Sequence, residues 1–339
     1  MTLEERKKPG VHYAVTKEGI ELPVVDVSHP AFATNVTALE QKALVEKFLQ
    51  ADSPFRSLPR PLRNLLTRFL LRGSLLAKGI RGAQGTFLSG MHTYLLKIGP
   101  EMLTGAYAGP IDRRIAASLP VLSVRLRLQD VAELMTDTLM TELQGDRRRP
   151  LTFVNIAGGP AVDSLNTLIL LNKHEPGIND ERRISIEVLD LDDAGPAFGK
   201  SALASLSAPD GPLHELLVSF RHSRYDWAHT ENLKSVLRET HDQKALVICS
   251  SEGGLFEYGS DSEIENNLAV LRQSEEVLAV VGSVTRADEL SRRLRESSSA
   301  ATRPRGLEVF RSLVKKAGWD VVRAIERPLS NQVVLVPAQ

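Results

Sequence analysis

Residues 153–171 read FVNIAGGPAVDSLNTLILL, and the order of residue types within them decides the fold. A β-branched, apolar run ends at Ile156. A glycine-proline turn follows, Ala157-Gly158-Gly159-Pro160-Ala161, and an amphipathic helical pattern starts at Val162. A strand, a tight turn and a helix in that order usually hold a nucleotide. Glycines let a ligand approach the backbone closely, and the helix N-terminus points at the same spot. A plain strand-to-helix turn is the competing reading. Asn155 stands where an acid is usual, and Ala157 and Ala161 stand where glycines are usual.

Downstream of this stretch the texture repeats. LTFVNI, ISIEVLDL, LLVSF, ALVICS and VLAVVGS are short runs rich in Val, Ile and Leu, and helical patterns separate most of them. Strands alternating with helices imply a parallel sheet covered on both faces. The end differs: WDVVRAIERP and NQVVLVPAQ are joined by about two residues near Leu329-Ser330. So short a connection requires an antiparallel pair. Upstream, residues 37–146 carry apolar residues at helical spacing, as in TALEQKALVEKFLQAD and SVRLRLQDVAELMTDTLMTEL. GDRRRP at 145–150 breaks that pattern. Residues 1–36 read as an extended arm with a β-like run from Leu22 to Val27. The expected division is a helical cap over 1–146 and an α/β domain over 147–339.

The bulk numbers exclude several classes. The chain has 339 residues with 42 Lys plus Arg against 42 Asp plus Glu, so net charge gives no case for nucleic acid or acidic lipid. Residues 56–82 are locally basic, with Arg56, Arg60, Arg63, Arg68, Arg72, Lys78 and Arg81 and no acid. Cys249 is the single cysteine, which rules out an internal disulfide or a cysteine-based zinc site. The polar start MTLEERKKPG does not read as a signal peptide, and no apolar run reaches the ~18 residues of a membrane span. A cytoplasmic protein without a membrane partner is expected. Its His and acidic residues show no ligand spacing, so no metal is expected.

In an open parallel sheet, ligands bind beyond the carboxyl ends of the strands. Asp163 lies in the first turn of the helix after the glycine turn. Asp190 ends the second strand, where a carboxylate can accept both ribose hydroxyls, with Leu191 beside it; helix capping is the alternative for Asp190, Asp192 and Asp193. Asp226-Trp227 after the third strand offers a carboxylate and a flat apolar face, as an adenine requires. A buried Trp with a capping Asp is the plainer reading. After the fourth strand come Ser250, Ser251, Glu252 and Gly253, with Tyr258 able to close over a ligand. A nicotinamide dinucleotide would want G-x-G-x-x-G against its pyrophosphate, and A-G-G-P-A fails that pattern. S-adenosylmethionine has no phosphate. It needs close backbone approach, a ribose carboxylate and an adenine slot.

VNIAGGPA, VLDLD, RYDWA, VICSSEG and the closing KKAGWDVVRAIERPLSNQVVLVPA occur in that order. Together they resemble the class I S-adenosylmethionine-dependent methyltransferases over about 150–339. GGPAVDSL and SEGGLFEYGS resemble the leucine carboxyl methyltransferase branch more weakly. The resemblance implies a Rossmann-like sheet of seven strands in the order 3-2-1-4-5-7-6, closed by a C-terminal antiparallel hairpin. It implies S-adenosylmethionine as cofactor, with contacts at Gly158, Gly159, Asp190, Asp226 and Glu252; Asn155, Ala157, Asp163, Leu191, Trp227 and Ser251 complete the candidate cofactor-binding set. Asn155 can still hydrogen-bond but brings no negative charge toward the sulfonium or ammonium.

A small-molecule acceptor is expected under the cap, of the kind met in secondary metabolism, in a chain that is either monomeric or paired with a second copy. Tyr94, Tyr107 and Tyr225 are the candidate catalytic groups, and Lys97, Arg125, Arg127 and His222 are further lining candidates. For each alone a structural role competes. Two alternatives stay open. In one, the cofactor's own amine attacks its γ-carbon or an aminocarboxypropyl group is transferred, releasing methylthioadenosine. In the other, the fold is a non-catalytic binding module.

Overall fold

In the computed structural model, residues 7–56, 59, 73–82, 88–295 and 301–339 are described. Most of the basic stretch 56–82 lies outside them. The arm that the sequence leaves extended is a small hairpin: β1 (Tyr13–Val15) pairs antiparallel with β2 (Glu21–Pro23). Gly19, at φ +79°, turns it. The run Leu22–Val27 was too short to reveal this pairing, since its partner Tyr13–Val15 has only three residues.

Cap helices follow at Ala38–Arg56, Leu75–Gly82, Gly90–Ile98, Pro110–Ala116 and Leu119–Gly145. The sheet then begins. Its strands are β3 (Leu151–Ile156), β4 (Ile184–Asp190), β5 (Val218–Arg224), β6 (Leu246–Ser251), β7 (Val277–Thr285), β8 (Trp319–Glu326) and β9 (Ser330–Pro337). Their spatial order is β5-β4-β3-β6-β7-β9-β8. β3, β4, β5, β6 and β7 run parallel, while β9 is antiparallel to both β7 and β8. Counted from β3, this is the order 3-2-1-4-5-7-6, with the closing hairpin. The fold is therefore the Rossmann-like methyltransferase sheet that the motif order implies. The hairpin connection is Arg327-Pro328-Leu329, slightly earlier than the sequence suggests.

β3 and β6 are buried along their whole length. That is why their sequences run apolar without alternation. One core cluster joins the cap to the sheet: Leu128, Met135 and Leu139 of the long helix Leu119–Gly145 share it with Phe153, Leu168 and Ile248. Charge adds to this join. Arg327 in the hairpin connection donates to both carboxylate oxygens of buried Asp130, at 2.8 and 2.6 Å. Among the described residues, no helix is long and apolar enough to cross a membrane.

Candidate functional site

The chain runs outward from β3 to β4 and β5, then returns to place β6 on the other side of β3. The carboxyl ends of β3 and β6 thus flank the switch point at which such sheets bind ligands. Asn155 and Ser250 are register partners there. The Asn155 amide donates to Ser250 Oγ at 2.6 Å and to Asp163 Oδ1 at 2.8 Å, while its carbonyl accepts from Ser164 Oγ at 3.0 Å. An acid is missing from the end of β3, yet Asp163 returns a carboxylate to the same place from the first helical turn.

Asp163 is 2% exposed, and its Oδ2 has no hydrogen-bond partner among the described residues. Burial pushes its pKa up, and the charge of Glu252 adds to this. The Ser250 hydroxyl and Lys97 pull the other way. Ser251 Oγ, on the last residue of β6, is likewise buried without a partner.

Cap and sheet meet here through charge. Lys97, from the helix Gly90–Ile98, pairs with Glu252. Arg127, from the long helix, donates to Glu252 at 2.8 Å and to Glu257 at 3.1 Å. All four side chains are buried. Burial alone would raise the Glu252 pKa, but Lys97 and Arg127 outweigh it and hold the carboxyl below its ordinary value. Glu252 therefore faces two cap cations, a role that its position alone does not disclose. Glu257 was missed in the sequence, where nothing separates it from an ordinary surface acid.

The glycine turn is packed by protein backbone. Ala157, Gly159 and Ala161 all adopt left-handed φ, at 55°, 54° and 51°. The alanines therefore carry the conformation for which glycine is usual, at a cost of roughly 1–2 kcal/mol each. A Cβ on Gly158 would lie 2.6 Å from Asn155 Cβ. One on Gly159 would lie 2.8 Å from Gly90 Cα, and one on Gly195 would lie 2.9 Å from Gly159 Cα. The cap helix thus seats its first residue directly on the turn.

Asp190 closes β4. Its Oδ2 accepts from the Gly159 amide at 2.9 Å and its Oδ1 from the Asp192 amide at 3.0 Å. Burial raises its pKa, and these two amides oppose the shift. Each carboxylate oxygen keeps a further acceptor site. Next to it, Leu191 is exposed, and Asp192 Oδ2 is buried without a partner among the described residues. Asp226 is exposed and accepts from the Ala228 amide at 3.0 Å. Trp227 is half-buried and packs against the second core cluster.

The candidate catalytic tyrosines are not brought together. The Tyr94 hydroxyl donates to the Pro23 carbonyl at 2.6 Å and accepts from the Val25 amide at 3.0 Å, so it fastens the N-terminal hairpin to the cap. The Tyr225 hydroxyl donates to Asn267 Oδ1 at 2.5 Å. Burial raises the pKa of both phenols. Tyr107 is half-buried in a single 3-10 turn, near Glu18 and Asp112. His222 contacts the Asp190 carbonyl at 3.0 Å, and Arg125 donates to the Phe32 carbonyl at 3.2 Å. Tyr258 is mostly buried and its pKa is raised by burial, with Glu257 adding to the shift.

No family model matches the chain, and no curated protein matches it. Solved structures do. A magnesium protoporphyrin IX methyltransferase from Synechocystis PCC 6803, with bound SAH, is 13% identical; 66% of this chain covers 89% of that one, with a TM-score of 0.42. The mitomycin 7-O-methyltransferase MmcR is 14% identical over 89% of this chain and 76% of that one, with a TM-score of 0.39. The pyocyanin biosynthetic protein PhzM is 16% identical, with a TM-score of 0.38, and the match spans 68% of this chain and only 59% of that one. These are distant likenesses, and it is the strand order of this chain that defines its fold.

Proposed function

We propose that this chain is an S-adenosylmethionine-dependent transferase that methylates a small-molecule acceptor. The cofactor would lie along the carboxyl ends of β3, β4 and β6. Asp190 carries this reading: a carboxylate ends the strand beside β3, is held by the Gly159 amide at 2.9 Å, and keeps acceptor capacity for two hydroxyls. Leu191 and Trp227 supply apolar surface beside it for a base. The unpartnered oxygens of Asp163, Asp192 and Ser251 fit a ligand rich in donors. Buried polar atoms normally find partners, so three orphans along one edge need an explanation.

When bound, the cofactor supplies a sulfonium-activated methyl group for a single displacement. The chain's part is alignment and exclusion of water. The cap helices supply both, since Gly90 and Lys97 sit over the ends of β3 and β6. A cap of this kind suits a small acceptor better than a macromolecule. Asp163 also weakens the main motive for a cyclase, because a carboxylate is present where Asn155 alone supplies none.

The test is incubation of purified protein with S-adenosylmethionine, alone and with a small-molecule extract of the source cells. S-adenosylhomocysteine should form only with the extract. Methylthioadenosine formed without it would replace methyl transfer with cyclisation of the cofactor. Absence of any cofactor binding would leave a binding module.

A further inference from the structure

The amino-terminal edge of the sheet, opposite the carboxyl ends that frame the cofactor reading, carries a row of cations. Arg183 immediately precedes β4, Arg149 stands two residues before β3, and Lys244 stands two residues before β6. β4, β3 and β6 are neighbours in that order, so the three entry points lie about 5 Å apart. Two adjacent arginines are neutralised: Arg147 meets Glu175 and Arg148 meets Glu181, both at 2.7 Å. Arg149, Arg183 and Lys244 have no carboxylate partner among the described residues.

The fold holds this row in place. Arg182, 1% exposed, donates to the Arg149 carbonyl at 2.9 Å and to the Leu143 and Asp146 carbonyls at 3.1 Å, which fixes the backbone ahead of β3. Arg149 Nε donates to the Lys244 carbonyl at 3.2 Å, and its terminal amino groups meet no acceptor among the described residues. Lys244 follows the helix Glu231–Asp242 at φ 52°, the left-handed position where glycine is usual. A lysine there is strained, yet it puts a cation at the mouth of β6. Arg148, Arg149, Pro150 and Lys244 line a hollow of about 470 Å³ together with Asp146, whose Oδ1 accepts from the Arg148 and Arg149 amides. One strand beyond Arg183, Leu217 precedes β5 and is 69% exposed.

We infer that this edge docks an acidic amphipathic helix of a partner protein, its carboxylates on the three cations and an apolar residue on Leu217. Successive turns of a helix rise 5.4 Å, close to the spacing of the strands, so one carboxylate per turn meets one cation per strand. A nucleic acid fits less well, because three cations are few for binding that depends on phosphate neutralisation, and it leaves Leu217 without a role. β3 has six residues and so holds the two edges about 20 Å apart, which leaves the carboxyl ends uncovered when the helix docks. The inference stands apart from the transferase reading.

The probe is a labelled helical peptide with one glutamate per turn and one leucine, titrated into the full chain and followed by fluorescence anisotropy. A glutamine version of the peptide and a single-stranded oligothymidylate serve as rivals. The wild-type chain should bind the glutamate peptide at least tenfold more tightly than either rival, and added salt should weaken that binding. Lys244→Gly removes the cation and the strain together, so it should bind the peptide at least threefold more weakly while melting no lower than the wild type. Adding Arg183→Gln should bring the loss to tenfold or more, and Leu217→Ser alone should cost at least threefold. No binding of the glutamate peptide at millimolar concentration overturns the inference, as does equal binding of the glutamine peptide. Equal or tighter binding of the oligothymidylate would assign the edge to nucleic acid instead. Unchanged peptide affinity in the folded double variant, or in Leu217→Ser, also overturns it.

Discussion

At the ends of β3 and β6, Lys97, Arg127, Asp163, Glu252 and Glu257 are all buried beneath cap helices, whereas at the ends of β4 and β5 Leu191 and Asp226 face solvent. The first region is sealed by the protein's own groups: cap cations hold Glu252, and Gly90 rests on the glycine turn. In the second, buried Asp190 and half-buried Trp227 lie beside the exposed Leu191 and Asp226. One sheet edge therefore combines a closed half, where Lys97 and Arg127 pair with Glu252 and Glu257, with a more exposed half. The contrast separates residues that hold the cap down from residues toward the exposed end of the sheet.

The largest effect should come from the closed half. Glu252→Ala strands buried Lys97 and leaves buried Arg127 with Glu257 alone, and should cost about 3–5 kcal/mol of stability. Urea unfolding measures it, and a loss under 1 kcal/mol would mean the cluster is hydrated. Next, Gly90→Ala places a Cβ 2.7 Å from Gly159 Cα, backbone against backbone. A cost of about 1–3 kcal/mol is expected from the forced shift. Wild-type stability would show that the cap does not rest on the turn.

Asp163→Asn should act in the opposite direction and with pH. Burial raises the Asp163 pKa in the folded chain. Its favourable contribution is thus complete below the unfolded value of about 3.9 and is lost as pH rises through the folded value. The variant should gain melting temperature over the ligand-free wild type at pH 8 and converge with it near pH 4. An equal difference at both values would show that Asp163 does not titrate in that window. The smallest effect belongs to the turn: Ala157→Gly relieves a left-handed φ of 55° and should stabilise by roughly 0.5–1 kcal/mol. Destabilisation there would assign the methyl to packing against Gly254.

The two halves also differ in how far the sequence disclosed them. The seven strands were legible because each is a short Val/Ile/Leu run between helical patterns, and the Arg327-Pro328-Leu329 connection enforces antiparallel pairing. That Asp190 ends β4 was legible, since it is the first acid after an apolar run. The closed half was not. Lys97–Glu252 and Arg127–Glu257 join residues more than a hundred positions apart, and nothing in LLKIGP or VRLRLQ marks a lysine or arginine as buried. Tyr94 and Tyr225 show the converse. Tyrosines near an expected site carried a catalytic signal, but their hydroxyls bond to Val25, Pro23 and Asn267 instead. The glycine turn misled in part: Gly158 and Gly159 are needed for close approach, and in this structure the approaching groups are Asn155, Gly90 and Gly195.

The most direct test of the cofactor site uses the more exposed half, where substitution disturbs least of the sealed cluster. S-adenosylhomocysteine is titrated into the wild-type chain and into Asp190→Ala, with melting curves confirming that both are folded. The wild-type chain should bind, and the variant should bind more than tenfold more weakly, a loss of at least about 1.4 kcal/mol. No binding by the wild-type chain at millimolar ligand, or equal affinity in the folded variant, would contradict the site.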